Sequence, residues 1–187
     1  MKTLITILLV LALVPGLAVA GPWTAGDIVL SGTAGSGSNA SYLVLDFGSA
    51  AYAFEYLWDT GTPYGFDMLT ALSAEGGIDG LSFAYHIETG LGAMVDTISY
   101  GTHSGTSDYP RPFWNYWTGP AGGPITYSWL GATLSPLADG SVDAWIFTAD
   151  YEQPPIIPGV PEPSALLALG SLIGLVGSVG LLRGRRK

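Results

Sequence analysis

Near its C-terminus the chain carries 18 consecutive residues without a charge, 165–182, and no other feature constrains its structure as strongly. As an α-helix rising about 1.5 Å per residue, this run would span about 27 Å, close to the hydrocarbon thickness of a bilayer. Pro161 and Pro163 precede it, and because each fixes φ and lacks a backbone donor, the approach should be extended. The run therefore predicts a transmembrane helix.

A basic cluster follows the apolar run and contains four of the six basic residues of the chain: Arg183, Arg185, Arg186 and Lys187. Basic residues beside a membrane span favour the cytoplasmic side, so everything before Pro161 is expected on the far side of the membrane. An ordinary C-terminal tail anchor is the alternative interpretation of this pattern.

The order Pro161-Glu162-Pro163, apolar helix and Arg-rich end resembles the PEP-CTERM sorting signal of Gram-negative bacterial surface proteins. VPEPSALLALG and GLLRGRRK carry the resemblance, which covers about the last 28 residues. It implies recognition by exosortase, a membrane-embedded cysteine transpeptidase that cleaves near the motif. It also implies an inner-membrane intermediate, followed by transfer to the cell surface or extracellular matrix.

The first 20 residues have the three parts of a secretory signal peptide. Lys2 supplies the positive charge, residues 4–14 form the apolar segment, and Ala18-Val19-Ala20 is the small-residue cleavage site. Cleavage would leave Gly21 as the new N-terminus. The partners expected for the two ends are thus the secretion machinery, exosortase and, through the C-terminal helix, the membrane.

Between the two ends, residues 21–152 are expected to form one acidic extracellular domain, followed by a linker at 153–160 and the sorting signal at 161–187. Prolines at 154, 155 and 158 predict that the linker is a semi-rigid spacer holding the domain off the membrane.

The charge of the predicted domain is strongly negative. Of the 15 acidic residues of the chain only Glu162 lies outside the domain, and of the six basic residues only Arg111 lies inside it. The domain therefore contains 14 acidic residues and one basic residue, for a net charge of about −13. Such a domain repels phosphate backbones, and we therefore expect no nucleic-acid partner. The chain has no cysteine, which excludes disulfides and thiolate chemistry.

Alternation of apolar and polar residues predicts a mainly-β domain. Strands are expected at 42–47 and 52–58 as a hairpin, at 81–87 and 94–100 around a turn, and at 113–117, 125–130 and 142–149. One short helix is expected at 66–74, capped by Asp67, and the small-residue stretch 32–41 should be a loop outside the core. The predicted class is α+β, a single mainly-β domain with one short helix.

The order MLTAL, VDTISYG, FWNYW, YSWLGATL and LADGSVDAWIF resembles the β-grasp-like domain at the C-terminus of transcobalamin-type proteins, over about residues 65–147. The resemblance implies a β-grasp-like arrangement and, as a candidate ligand, a cobalamin-like molecule.

Trp114, Trp117 and Trp129 are the candidate ligand-binding residues. In a strand, Trp114 with Tyr116 and Phe113 with Trp117 face opposite ways, so one pair would be core and the other exposed. Exposed tryptophans stack on sugar rings, which makes exopolysaccharide a candidate partner. Half-buried core aromatics are the interpretation that we favour, and ligand binding is the alternative.

Asp139, Ser141 and Asp143 place oxygen atoms at alternating positions, as a hard cation such as calcium requires. The stretch lacks the later glutamate and the glycine of an EF-hand, and a type I turn in which Asp139 bonds the backbone explains it as well. We favour the turn and predict no metal and no cofactor.

Catalysis finds little support in the sequence. His103, Ser104 and Asp108 have the residue types of a hydrolase triad, but they lie in one short glycine-containing stretch without a nucleophile elbow. We predict a non-enzymatic exported surface protein, structural or adhesive, with a surface-displayed ligand-binding module as the alternative.

Overall fold

A computed structural model of the chain describes residues 24–108 and 112–160. The predicted signal peptide and its cleavage site, the sorting signal at 161–187, its helix and its basic cluster lie outside the described residues. Within the residues described, no helix is long and apolar enough to cross a membrane.

The described residues are mainly β with one short α-helix, as the sequence predicts. In chain order the elements are β1 Gly32–Gly35, β2 Asn39–Asp46, β3 Ala51–Trp58, α1 Gly65–Ser73, β4 Leu81–Glu88, β5 Gly92–Tyr100, β6 His103–Thr106, β7 Phe113–Pro120, β8 Thr126–Tyr127 and β9 Ser141–Thr148, with short 3₁₀ turns at Ala25–Asp27 and Ala132–Leu134. Six strands form a central sheet in the order β1-β3-β2-β9-β7-β8, and three form a small sheet in the order β4-β5-β6.

The central sheet is mixed and is buried on both faces. β9 runs parallel to β2 and antiparallel to β7, which places it in the middle of the sheet. Because side chains alternate along a strand, Leu45 and its partner Trp145 lie on one face, and Val44 and its partner Ala144 on the other. We call these the first and the second face; all four side chains are buried.

The first face is covered by α1 and the small sheet. Met68, Leu69 and Leu72 of α1, spaced along one side of the helix, pack into the same core as Leu45 and Ile98. The helix begins at Gly65, one residue earlier than predicted, and Asp67 caps it from within the first turn by accepting a hydrogen bond from Tyr64 N at 2.8 Å.

The second face is covered by the two ends of the described chain. Ile28 and Ile157 pack into the apolar cluster that contains Val44 and Ala144. Val29 N donates to the carbonyl of Pro158 at 2.9 Å, so the two end segments also bind each other.

The segment at 153–160, which the sequence predicts to be a semi-rigid spacer, packs against the domain. Ile156 N donates to Oδ2 of the buried Asp46 at 2.8 Å, and Gly159 lies against the backbone of Asp27. We call this segment the strap. It belongs to the domain because the side chain of Ile157 packs on the second face and the backbone groups of Ile156 and Pro158 form hydrogen bonds there. The domain thus extends to Val160 rather than to residue 152.

Two further predictions need correction. The supposed loop at 32–41 contains β1, which pairs in parallel with β3 and buries Ala34, because small residues allow close approach to the large side chains of β3. The strand expected at 125–130 shortens to Thr126–Tyr127, because Ser128 Oγ accepts a hydrogen bond from Leu130 N and turns the chain away from the sheet.

We expect Ile157→Ala in the strap to lower the free energy of unfolding by about 1–2 kcal/mol, because it removes a partly buried side chain from the core of the second face. Ile156→Ala is the matched control, since the neighbouring side chain is more exposed and should cost clearly less. Urea denaturation of the mature chain measures both. Equal and negligible effects would show that the strap does not dock.

Candidate ligand-binding surface

The three candidate tryptophans do not share a site. Trp114 lies in the core of the first face and Trp117 in that of the second, whereas Trp129 is 78% exposed. Both tryptophans of β7 are therefore core residues, as the favoured interpretation of this strand predicts, and Trp117 is not exposed. Alternation assigned the faces correctly, but the strap and the N-terminal segment cover the second face.

Trp114 has a structural role that its surroundings define. Its indole Nε1 donates to the carbonyl of Gly105 at 2.9 Å, and its ring packs edge-on against Phe47. Because Gly105 belongs to the small sheet, this hydrogen bond fastens the small sheet to the central sheet. Trp114 is thus excluded from a ligand-binding surface.

Trp129 belongs instead to an exposed aromatic cluster with Tyr127 and Tyr151, which we call the aromatic surface. The ring of Tyr127 lies 4.9 Å from that of Trp129 and 6.5 Å from that of Tyr151. Behind it, Trp117 supports Tyr127 edge-on at 5.8 Å. Trp117 in the core thus packs against the half-buried Tyr127, which in turn packs against the exposed indole of Trp129.

The backbone after β8 explains why Trp129 points to solvent. Ser128 N donates to the carbonyl of Tyr116 at 2.8 Å, which fixes the end of β8 against β7. The Ser128 side chain donates to the carbonyl of Leu130 at 3.0 Å, which closes a tight turn around Trp129. The indole is therefore presented on an anchored turn.

An acidic cleft of about 290 Å³ lies at the N-terminal end of β9. Its lining includes Thr118, Ser135, Pro136, Asp139, Ser141 and Asp143. Asp143 is only 2% exposed, and its Oδ2 accepts a hydrogen bond from the hydroxyl of Tyr116. Gly65, at the start of α1, lies against both of these groups, so a side chain there would collide with the pair.

Burial raises the pKa of Asp143 to about 7, although the hydrogen bond from Tyr116 stabilises the charged form and opposes that rise. Burial, and then the neighbouring carboxylate of Asp143, raise the pKa of Tyr116, so its hydroxyl stays protonated at physiological pH. The pair therefore combines a hydroxyl donor with a carboxyl group that titrates near neutrality.

In each of the three residues of the calcium candidate, one side-chain oxygen already has a protein partner. Asp139 Oδ1 accepts from Ala40 N at 2.9 Å, and Ser141 Oγ donates to Ser41 Oγ at 3.2 Å. Residues 138–141 form a turn in which Gly140 has a φ of 75°. The Asp139 side chain bonds the backbone of the neighbouring strand β2 and not that of its own turn. In the described parts of the chain, no group of three or more metal-ligating side chains occurs.

The two histidines occupy separate places. His86 Nδ1 lies 2.7 Å from Asp96 Oδ1 on the exposed side of the small sheet. The ring of His103 packs 5.6 Å from that of Phe47, while Ser104 Oγ lies 2.6 Å from Ser99 Oγ. As neighbours in β6, His103 and Ser104 face opposite ways and do not form a nucleophile and base pair.

Sequence reasoning missed Tyr151 and the Tyr116–Asp143 pair. Tyr151 lies beyond the last strand, and only the fold brings it to Tyr127. The pair had a signal, since Asp143 is an acid within an otherwise apolar run from 142 to 147. Such an acid needs a buried partner, but finding Tyr116 requires the register of β7 against β9.

Comparison of the chain with protein-family models, with curated proteins and with solved structures found no match. A functional assignment therefore depends on the residues of this chain and their geometry.

We expect the contribution of Asp143 to the stability of the wild-type domain to fall as the pH rises from about 4 to about 7. Over this window the folded state retains the Asp143 proton, with its pKa of about 7, while the unfolded state, near 3.8, has lost it. Each pH unit between the two values costs at most about 1.4 kcal/mol.

Asp143→Asn removes this titration, so its stability relative to wild type should rise across the window and level off above pH 7. Asp139→Asn is the control, because it removes an exposed carboxylate from the lining of the same cleft and leaves the Tyr116–Asp143 pair in place. Denaturant unfolding at several pH values measures the difference. Parallel curves for wild type and Asp143→Asn would contradict the assigned pKa.

Proposed function

We propose that the chain is an exported bacterial surface protein, sorted by an exosortase-type system, and a structural or adhesive component of the cell surface or extracellular matrix. The main support is the extent of the compact unit, which ends at Val160, directly before the motif that begins at Pro161. The proposal assigns no enzymatic activity.

The arrangement of the domain's two ends supports this function. Val29 N bonds the carbonyl of Pro158, and Gly159 lies against Asp27, so the segments that follow the signal peptide and precede the motif are neighbours. Export would leave the N-terminal segment free to dock on the second face. Cleavage near Pro161 would then release the domain with its strap in place.

The net charge of about −13, from 14 acids and one base in residues 21–152, is consistent with a soluble domain outside the cell. A strongly acidic surface also disfavours binding to anionic lipid headgroups. The proposed attachment to the membrane therefore depends on the C-terminal helix and not on the domain.

Replacing all three residues Pro161, Glu162 and Pro163 by alanine should abolish sorting. The two prolines favour an extended backbone, which we propose the processing enzyme recognises. We expect the variant to accumulate in the inner membrane with its C-terminal Lys187 retained, whereas wild type reaches the surface without it. Cell fractionation and intact mass measure both properties.

Pro154→Ala with Pro155→Ala is the matched control, because it removes two prolines of the strap and leaves the motif intact. Normal sorting of the control together with normal sorting of the motif variant would contradict the proposed role of the motif.

A second candidate function is ligand binding at the aromatic surface, favoured by the 78% exposure of Trp129 on a supported aromatic base. An exposed indole face of this kind suits the apolar face of a sugar ring. We propose exopolysaccharide as the ligand class on this surface.

Trp129→Ala should weaken exopolysaccharide binding at least several-fold and abolish the fluorescence change that accompanies it. Leu134→Ala is the control, since this exposed side chain lies outside the aromatic surface. Fluorescence titration with exopolysaccharide from the producing cells measures the effect. Equal binding by wild type and Trp129→Ala would eliminate this candidate.

A β-grasp-like relationship is also proposed, on the order of α1, the small sheet, the aromatic strand β7 and the late strand β9. A cobalamin-like ligand has weaker support than a polysaccharide. The acidic cleft of about 290 Å³ is at the lower limit for drug-sized ligands, and cobalamin is much larger.

A further inference from the structure

The outer edge of the small sheet, formed by β4, has no partner strand in the part of the chain that the structure describes. Strand β4 pairs with β5 on one side only, over Leu81–Glu88, and among the described residues it is longer than the edge strands β1, β6 and β8. The opposite edge of the small sheet lies against β7, where Trp114 bonds Gly105. Within residues 24–108 and 112–160, β4 therefore presents the longest row of backbone groups without a partner strand.

Strand β4 lacks the features that usually prevent edge-to-edge pairing, which are lysine, proline and bulges. Its sequence, LSFAYHIE, contains neither lysine nor proline. The irregularity in the hairpin lies in β5, because Ala84 pairs with Thr97 and Tyr85 with Val95, which leaves Asp96 as the extra residue. The backbone of β4 is thus a regular template for another strand.

The apolar side of β4 extends beyond the helix that covers its beginning. Phe66 of α1 contacts Phe83 and Tyr85, with ring centroids 5.7 and 4.7 Å apart. Tyr85 remains 47% and Ile87 66% exposed, although both lie on the same side of the strand as the buried Leu81. An inward-facing apolar row is therefore left uncovered at the open edge.

We propose that β4 pairs antiparallel with β4 of a second copy of this chain, about a two-fold axis at Tyr85, so that the two small sheets become one continuous sheet. In this register Phe83 faces Ile87 of the other copy, and Tyr85 faces its own counterpart. The uncovered apolar row of each copy thereby packs against the same row of the other.

The distribution of charge favours a second copy in this register. Domains with a net charge of about −13 repel one another, so contact requires a surface with few acids. β4 carries one acid, Glu88, at its end, and the register places it opposite Ser82. The two Glu88 residues of a dimer are then six positions apart along the strand, about 20 Å.

Symmetry supports the same conclusion. A two-fold contact uses one surface patch twice, so the patch must be complementary to itself. The polar positions at Ser82 and Glu88 and the apolar positions at Phe83 and Ile87 are placed symmetrically about Tyr85. The inference goes beyond the proposed function and does not require the sorting route; it supplies a contact through which a matrix component would assemble.

Disulfide trapping tests the contact directly, because the chain contains no cysteine. In the full chain, Tyr85→Cys places two thiols opposite each other across the axis, within the Cβ separation of directly paired residues. We expect mild oxidation to yield several-fold more disulfide-linked dimer than Leu130→Cys, a control of similar exposure, 51% against 47%. Equal trapping at the two positions would overturn the proposal.

The register is tested separately with two differently tagged chains, Phe83→Cys and Ile87→Cys. Mixed together they should form a linked heterodimer, while each alone should form little dimer, because neither residue faces its own counterpart. Adding Ile87→Lys to Tyr85→Cys should abolish trapping by placing a charge in the apolar row. Equal trapping in the mixture and in the separate chains, or trapping unaffected by the lysine, would overturn the two-fold pairing at Tyr85.

Discussion

The structure depends on the insertion of β9 between β2 and β7. Five residues of β9 pair in parallel with Tyr42 to Asp46, about 100 positions earlier in the chain, so the pairing closes the central sheet late in the sequence. A strand in this position is buried on both sides and is therefore apolar at successive positions, as Ala144, Trp145 and Ile146 are. Both faces of the sheet consequently need a cover.

The two covers differ in origin. The first face is covered by regular elements, α1 and the small sheet, while the second is covered by segments at the two ends of the described chain, held by Asp46 and by the bond between Val29 and Pro158. The segments near Val29 and Pro158 therefore lie next to the core. In the proposed export route, the two processing steps would take place at the positions in the sequence that adjoin these segments.

Local patterns in the sequence predicted the local structures. Alternation predicted the hairpin of β2 and β3 and that of β4 and β5, and apolar spacing predicted α1, because neighbouring residues decide each of these. β1 and the strap were missed because their stability comes from distant partners. Nothing within Gly32–Gly35 reveals β3, and the prolines near Ile157 indicate an extended chain whether or not a sheet face lies beneath it.

The candidate site shows the same division. Exposure of Trp129 agrees with its place in a ligand-binding prediction, but Trp114 and Trp117 are buried on opposite faces, and Tyr127 and Tyr151 take their place. Alternation within β7 shows on which face of the sheet each tryptophan lies, but not whether other segments cover that face. It therefore cannot distinguish a solvent-facing tryptophan from one beneath the strap. The Tyr116–Asp143 pair likewise requires the register between two strands.

Hydrogen exchange in the full-length protein tests most directly whether the end segments complete the domain. If the strap covers the second face, the amides of Val29 and Ile156, bonded to Pro158 and Asp46, should exchange far more slowly than unstructured amides. If both amides exchange at the unstructured rate while β9 stays protected, the strap is a free spacer and this description of the fold is wrong.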